Sequence, residues 1–355
     1  MVTPKFAPSR LSIHAVLKKN VNEYFQQQKL SPAGNSALYL KAAILLASYL
    51  LIYVHLIFFT PDKLLAIIEC VLSGVLTASI GFNVMHDGAH GSFSNHSWLN
   101  KMAASSLDFL GASSFMWHVK HNVIHHAYTN IDGIDDDINA QPFLRLCDTQ
   151  KRYKIHRYQH IYFWLLYCFL YLFWVFFADY KKYFSHKIGS VHLQKFKLKD
   201  HIFFWSFKVL YGVLFIAVPV YFCGFIPWLT GFLINAAVAG FLLSIVFQLA
   251  HTVDETSFPV ASQTFNKIEN EWALHQLKTT ADFATKNKFI SWWLGGLNFQ
   301  VEHHLFPKIS HIHYPDICKI VGQTCERLGV PYIEHRKTSL AIASHISYLK
   351  KMGRS

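Results

Sequence analysis

The 355-residue chain is 52% apolar, 16% aromatic and only 15% charged, with a formal net charge of +12. Soluble domains carry about 25% charged residues, so the composition points to a membrane protein. A mean hydropathy of +0.22 is nonetheless too low for a chain wholly embedded in lipid, and polar mass must sit outside the bilayer. The basic residues do not form one stripe on a polar domain, which argues against nucleic-acid binding. They fit positively charged loops on the inner side of a membrane, or a basic face for anionic headgroups or an acyl carrier's phosphates.

Residues 1–36 read as a cytoplasmic or interfacial N-terminal segment, with Ile13, Val16, Leu17, Tyr24 and Phe25 near helical spacing. No signal-peptide pattern is present, since Lys5 and Arg10 are followed by polar residues. A bilayer core needs roughly 20 apolar residues as helix, and about 38–59, 64–85, 202–223 and 226–250 meet that length. The connectors Thr60–Lys63 and Gly224–Phe225 are so short that these spans form two hairpins. A fifth stretch, 161–178, is shorter and very aromatic. The connector 179–201 carries Lys181, Lys182, Lys187, Lys195, Lys197 and Lys199 and is read as cytoplasmic.

Six cysteines (Cys70, Cys147, Cys168, Cys223, Cys318, Cys325) include no C-x-x-C pair and form neither a disulfide framework nor a zinc ribbon. Histidine, at 22 residues, is the anomaly. The first cluster, His86-Asp87-Gly88-Ala89-His90, ends the second span and puts two imidazoles at i, i+4 on one helix face. Alone it could equally be a pair of polar residues closing a membrane helix. Asp87 would suit a carboxylate that orients a ring, or a salt bridge.

The second cluster runs from Trp117 to His126. His121 and His125 are again i, i+4, and His126 is adjacent to His125. Neighbouring side chains point about 100° apart on a helix, so this segment suits two metals better than one. His118 is a candidate outer partner. The third cluster, Gln300-Val301-Glu302-His303-His304, puts Gln300, His303 and His304 on one face. Gln300 could act weakly, through water, or from outside the ligand set, and Glu302 is read as orienting. His251 ends the fourth span at the depth expected for His86, and membrane-edge ionisable groups are functional by default. His275 is either an outer partner or a structural hydrogen-bonder.

If these clusters build one site, they share one side of the membrane. An odd number of crossings between 126 and 251 would separate them, so 161–178 is expected to be interfacial or re-entrant. The expected fold is an all-α integral membrane protein with four spans, both termini cytoplasmic, and a cytoplasmic helical cap holding a His-rich dimetal site. The membrane domain would cover 37–325, followed by a C-terminal segment 326–355. Eight histidines exceed the four ligands usual at one zinc, and imidazole suits iron, zinc, copper and nickel alike.

H-D-x-x-H, H-N-x-x-H-H and Q-x-E-H-H resemble the three histidine boxes of membrane fatty acyl desaturases, and the leading Gln300 resembles their front-end subgroup. The flanking text NVMHDGAHGSFS, HNVIHHAYTNIDGIDDDI, HQLKTTADFA and GGLNFQVEHHLFPKISHIHYPDI extends the match over about 60–325 and resembles bacterial linoleoyl-CoA-type desaturases. The resemblance implies two iron ions and dioxygen, with His86, His90, His121, His125, His126, His251, His303 and His304 as ligands. Gln300 stands where the stearoyl-CoA branch has histidine. It also implies an acyl-CoA or phospholipid acyl chain as substrate, in a bacterial inner membrane. The chain lacks the H-P-G-G signature of a fused haem domain, so electrons are expected from a separate ferredoxin or cytochrome-b-type protein.

Phe115, Trp117, Trp292, Trp293 and Phe299 are candidates for the wall of an acyl tunnel. The run Asp135-Asp136-Asp137 is either a solvated face or a clamp for Arg145, lysines or ligand histidines. A hydroxylase on the same scaffold is the nearest alternative, and a non-redox metal-binding protein or transporter a remote one.

Overall fold

The computed structural model describes residues 4–8, 12–261 and 266–355; the parts of the N-terminal segment at 1–3 and 9–11, Arg10 included, lie outside the described residues. The chain is helical almost throughout. The only sheets among the described residues are three two-residue pairings that tie distant segments: 5–6 with 267–268, 187–188 with 191–192, and 282–283 with 334–335.

Among the described residues, five helices are long and apolar enough to cross a membrane: Ser36–Phe59, Lys63–His90, Lys154–Ser185, Leu198–Cys223 and Phe225–His251. Asn35 caps the first, accepting from the amides of Ala37 and Leu38, and Asp62 caps the second through Leu64 and Leu65. Thr60, left-handed at φ 44°, turns the chain between them. Gly224, at φ 85°, does the same between Cys223 and Phe225, a conformation that glycine adopts without steric cost. Both hairpins therefore form across connectors of one to three residues.

Two boundaries differ from the hydropathy reading. The second span does not stop at 85: its helix continues through the first histidine cluster to His90 and is closed by left-handed Gly91. Nothing between Met85 and Gly91 breaks a helix, so both histidines occupy its last turn. Gly88 lets this turn approach the helix Ser97–Phe109, since a Cβ there would stand 2.6 Å from the Ala103 Cβ.

The stretch 161–178 is the middle of a 32-residue helix, Lys154–Ser185. Polar flanks hide its length from a hydropathy window, although their backbone stays helical. It packs against Phe225–His251 at Gly240, where a Cβ would lie 2.8 Å from the carbonyl oxygens of Tyr167 and Cys168. Near its start, Gln159 donates to the carbonyls of Arg145 (2.9 Å) and Leu349 (2.8 Å). Near its end, Asp179 accepts from the Ser113 amide (2.7 Å), and Lys182 pairs with Asp136 (3.5 Å).

The remaining helices cover one end of this bundle. Ile13–Gln28 buries Leu17, Val21 and Phe25 against Ile317 and Val321 of the helix Tyr314–Leu328. The last helix, Thr338–Met352, joins the same body. His345 accepts or donates at Tyr167 (2.8 Å) and Thr252 (3.0 Å), and Arg145 donates to the Met352 carbonyl (2.7 Å).

Candidate metal centre

Four separate elements bring the histidines together. The last turn of Lys63–His90 supplies His86 and His90, the segment Val119–Tyr128 supplies His121, His125 and His126, the end of Phe225–His251 supplies His251, and the short helix Gln300–Leu305 supplies His303 and His304. Their ligand atoms fall into two main groups, each within 4.8 Å: His86, His90, His121 and His303 in one, His125, His251 and His304 in the other. His126 stands between, within the same limit of His303 and His304. The groups adjoin, with the His125 ring centroid 5.2 Å from His121 and 4.7 Å from His251.

The second cluster is distributed in a way that ordinary helical spacing hides. Val119–His125 is a π-helix, a form that gathers at functional sites. Its wider turn places His126 over His121, with their Nε2 atoms 3.2 Å apart, while His125 joins the second group. Sharing a helix face therefore does not put His121 and His125 into the same main group, although the two do face Asp137 together.

The chemistry of these nitrogens indicates what they suit. Nε2 of His86, His90, His125, His251, His303 and His304, and Nδ1 of His126, are buried without any hydrogen-bond partner. Each unsatisfied buried polar atom costs about 1–3 kcal/mol. These seven would consume most or all of a domain's 5–15 kcal/mol of stability, unless something takes their lone pairs. Burial, then the neighbouring rings, holds His121, His126, His303 and His304 well below the usual imidazole range, so they stay neutral at physiological pH. Neutral, converging imidazoles with free lone pairs are what a divalent metal requires.

The opposite ring nitrogens are anchored. His125 Nδ1 meets Asp135 at 2.9 Å, His251 Nδ1 meets the Thr279 carbonyl at 3.2 Å, His304 Nδ1 meets Gln276 Oε1 at 2.8 Å, and His303 Nδ1 meets the Tyr314 hydroxyl at 3.3 Å. Burial would lower His125, but the Asp135 carboxylate outweighs it and lifts the ring above its ordinary value. Of the acidic run, Asp135 thus orients a histidine, Asp137 pairs with Lys120 (2.5 Å) and Asp136 with Lys182; Arg145 instead holds Asp148 and backbone carbonyls. Burial pushes Lys120 down, but Asp137 and Asp136 push it further up.

Several sequence candidates lie elsewhere. Asp87 orients neither neighbouring ring; its Oδ2 accepts from Ser310 Oγ (2.7 Å) and pairs with His311 Nδ1 (3.0 Å). Glu302 points away from the imidazoles, toward Asp282 and the Tyr332 hydroxyl (3.2 Å). Burial, then the Asp282 charge, raises its carboxyl well above the usual range. His118 is exposed and hydrogen-bonds Asn122. His275 is fully buried beside Phe6 but belongs to no ligand group. Gln300 donates to the Leu297 carbonyl (2.8 Å) and lies buried near His251, beside the second group.

The aromatic candidates divide similarly. Trp117 stacks on His121 (4.3 Å) and stands 5.7 Å from His86 and 6.0 Å from His90, forming a wall of the first group. Trp293 lines an apolar cleft of about 420 Å³ between the long helices, with Val75, Trp164, Ala237 and Phe241. Phe299 is instead a core residue under the N-terminal helix, Phe115 is exposed against Phe196, and Trp292 is exposed beneath Lys41. Gln276 and Tyr314 fall inside the desaturase-like flanking text, but nothing in it marks either as a partner of a ligand ring, because those roles depend on how the chain folds around His304 and His303.

The fatty acid desaturase family profile matches residues 62–336. The chain is 36% identical to an sn-1 linoleoyl-lipid 6-desaturase of Arthrospira platensis, covering 95% of this chain and 91% of that protein. A protein of the same description from Synechocystis is 33% identical over 99% of this chain and 98% of its own length. An acyl-lipid (8-3)-desaturase of Physcomitrium patens is 35% identical over 96% of this chain and 71% of that protein. With its histidine groups set at the ends of long apolar helices, the chain belongs to the fatty acid desaturase family and is an oxidoreductase of lipid metabolism.

Proposed function

We propose that this protein inserts a cis double bond into the acyl chain of a membrane lipid, at the front-end position six carbons from the carboxyl group. The regiochemistry and the lipid-linked substrate rest on the printed activities of the two 6-desaturase relatives. The observation that carries the site is the convergence of unpartnered, buried imidazole nitrogens from four elements.

The residues fit two iron ions. His86, His90, His121 and His303 would hold one; His125, His251 and His304, with Gln300 alongside, the other; and His126 lies between. Bound iron with dioxygen would supply the oxidising power to remove hydrogen from an unactivated methylene, which no side chain possesses. The chain's own part is to fix the rings, keep them neutral, exclude water, and hold the lipid against the site. Trp117, packed on three rings of the first group, is the best-placed wall for the reacting carbons. Two electrons per turnover would come from a ferredoxin or cytochrome-b-type carrier.

In the bilayer we place four crossings, Ser36–Phe59, Lys63–His90, Leu198–Cys223 and Phe225–His251, with Lys154–Ser185 lying along the membrane on the side of the histidines without crossing. Two contacts support this arrangement. His125 and His251 are 4.7 Å apart, so the chain between them crosses an even number of times. Both ends of Lys154–Ser185 are bonded to the segments that surround the histidines. The lysines of 179–201 favour a cytoplasmic site and termini.

The test is expression in a host without polyunsaturated lipids, fed linoleate, with double-bond positions mapped by gas chromatography–mass spectrometry. A new bond at carbon six, together with two irons per purified chain, is the expected result. A new double bond at any other carbon, from iron-loaded protein, would reject the regiochemistry. Labelling of single cysteines at 180–200 from the outer face only would reject the topology.

A further inference from the structure

We infer that Gln276 is a positioning residue: its side-chain amide sets the tautomer and orientation of His304 and locks that ring to the backbone of His126. The inference rests on the two-iron reading above.

The helix Trp272–Thr279 has no histidine in either ligand group, yet one face of it touches three elements that do. Trp272, Gln276 and Thr279 recur at i, i+4 and i+7, a single helical stripe. The Trp272 Nε1 donates to the His126 carbonyl at 3.2 Å. Gln276 Nε2 donates to the same carbonyl at 3.1 Å. The Thr279 carbonyl faces His251 Nδ1 at 3.2 Å. This stripe therefore joins the second box, the third box and the end of the last long helix.

The hydrogen bonds fix the amide without ambiguity. A backbone carbonyl only accepts, so the atom facing His126 must be the NH2 of Gln276. Its oxygen then faces His304 Nδ1 at 2.8 Å, and an amide oxygen only accepts, so Nδ1 carries the proton. That leaves His304 Nε2 as the lone-pair nitrogen, and it is one of the buried atoms without a partner. Thr129 Oγ1, 3.0 Å from the same amide oxygen, closes the arrangement, and Gln276 itself is fully buried. A flipped amide would set its oxygen against the His126 carbonyl oxygen, so that carbonyl enforces the orientation. Groups that orient a metal-bound histidine typically matter 10- to 100-fold in metal affinity or activity.

The choice of an amide has its own consequence. Asp135 offers His125 a carboxylate, which pulls the Nδ1 proton and makes that ring more basic. Gln276 offers His304 a neutral acceptor while also donating to His126, two tasks that no carboxylate can perform together. The second group thus joins one charged, one amide and one backbone acceptor on its three rings.

The test uses full-length protein purified from membranes and loaded with 57Fe, in wild-type, Gln276→Leu and Gln276→Glu forms. Iron per chain, Mössbauer spectra and thermal melting are measured together. Gln276→Leu should bind the second iron 10- to 100-fold more weakly, falling toward one iron per chain, with the remaining quadrupole doublet retained. Gln276→Glu keeps an acceptor for His304 and should hold both irons while shifting one of the two doublets. Wild-type iron content and an unchanged spectrum in Gln276→Leu would overturn the inference. If that variant does not accumulate, an unshifted spectrum in Gln276→Glu would do so. Wild-type protein that is active without iron would instead remove the two-iron reading beneath it.

Discussion

His125 and Asp135 form the shortest contact between a carboxylate and a ring of the second group among the described residues, Nδ1 to Oδ2 at 2.9 Å, with both side chains fully buried. The carboxylate also accepts from the amides of Asn130 (2.9 Å) and Asp137 (3.0 Å). It therefore shapes the loop after the second box as well as the ring. Asp135→Ala removes the acceptor and should weaken iron binding and lower lipid desaturation 10- to 100-fold. Asp135→Asn, which retains an oxygen for His125, should lose less. Iron stoichiometry and product yield in the two variants give the order; equal losses would assign Asp135 to the loop alone.

The two histidine groups make a sharper prediction for single substitutions. Alanine at 86, 90, 121 or 303 removes one ring of the first group, and alanine at 125, 251 or 304 one ring of the second. Each variant should insert into the membrane at near wild-type level, judged by immunoblot, and leave no detectable new double bond in host lipids. Any of the seven that keeps more than about a tenth of the product does not hold a metal needed for turnover, since loss of a first ligand exceeds the 10- to 100-fold of an outer partner.

The sequence already exposed four of the five long apolar helices, the three boxes and the terminal histidine of the last helix, because each is written locally as a run of apolar residues or a short motif. What it hid depends on contacts between separate segments, from 28 residues apart for Gln276 and His304 to 224 for Asp87 and His311. Asp87 sits inside the first box but pairs with His311, and Gln276 reaches His304 from beside the more conspicuous His275. The assignment of His121 and His125 to different groups required the π-helical turn, which no apolar period announces. Hydropathy likewise found 161–178 but not the polar flanks that extend it to Lys154–Ser185.

Those flanks carry a buried ion pair. Lys208 Nζ meets Asp179 Oδ2 at 2.8 Å and the Gly111 carbonyl at 2.7 Å, tying Leu198–Cys223 to Lys154–Ser185 and to the loop before the second box. Removing one member of a buried pair strands the other charge and costs about 3–5 kcal/mol. Lys208→Met should therefore lower the melting temperature strongly, and Lys208→Met with Asp179→Asn should recover much of the loss. A single variant as stable as wild type would mean that water reaches Asp179.

Asp108 stands at the other end of this loop and predicts a pH effect. Its Oδ1 accepts from the Ser114 amide at 3.0 Å, but its Oδ2 is buried without a partner. Burial raises the carboxyl to about 6, with the Asp179 charge adding and the Ser114 bonds opposing. A folded-state value above the unfolded one means that the native protein binds the proton more tightly. That contribution is fully present below about pH 4 and is lost as pH rises through about 6. At pH 8 the ionised carboxylate costs on the order of 2 kcal/mol relative to a neutral side chain of the same shape. Asp108→Asn should thus melt at a higher temperature than wild type at pH 8 and at a similar temperature at pH 4. The difference should open between pH 4 and 7, and a constant offset at every pH would show that Asp108 titrates alike in the folded and unfolded states.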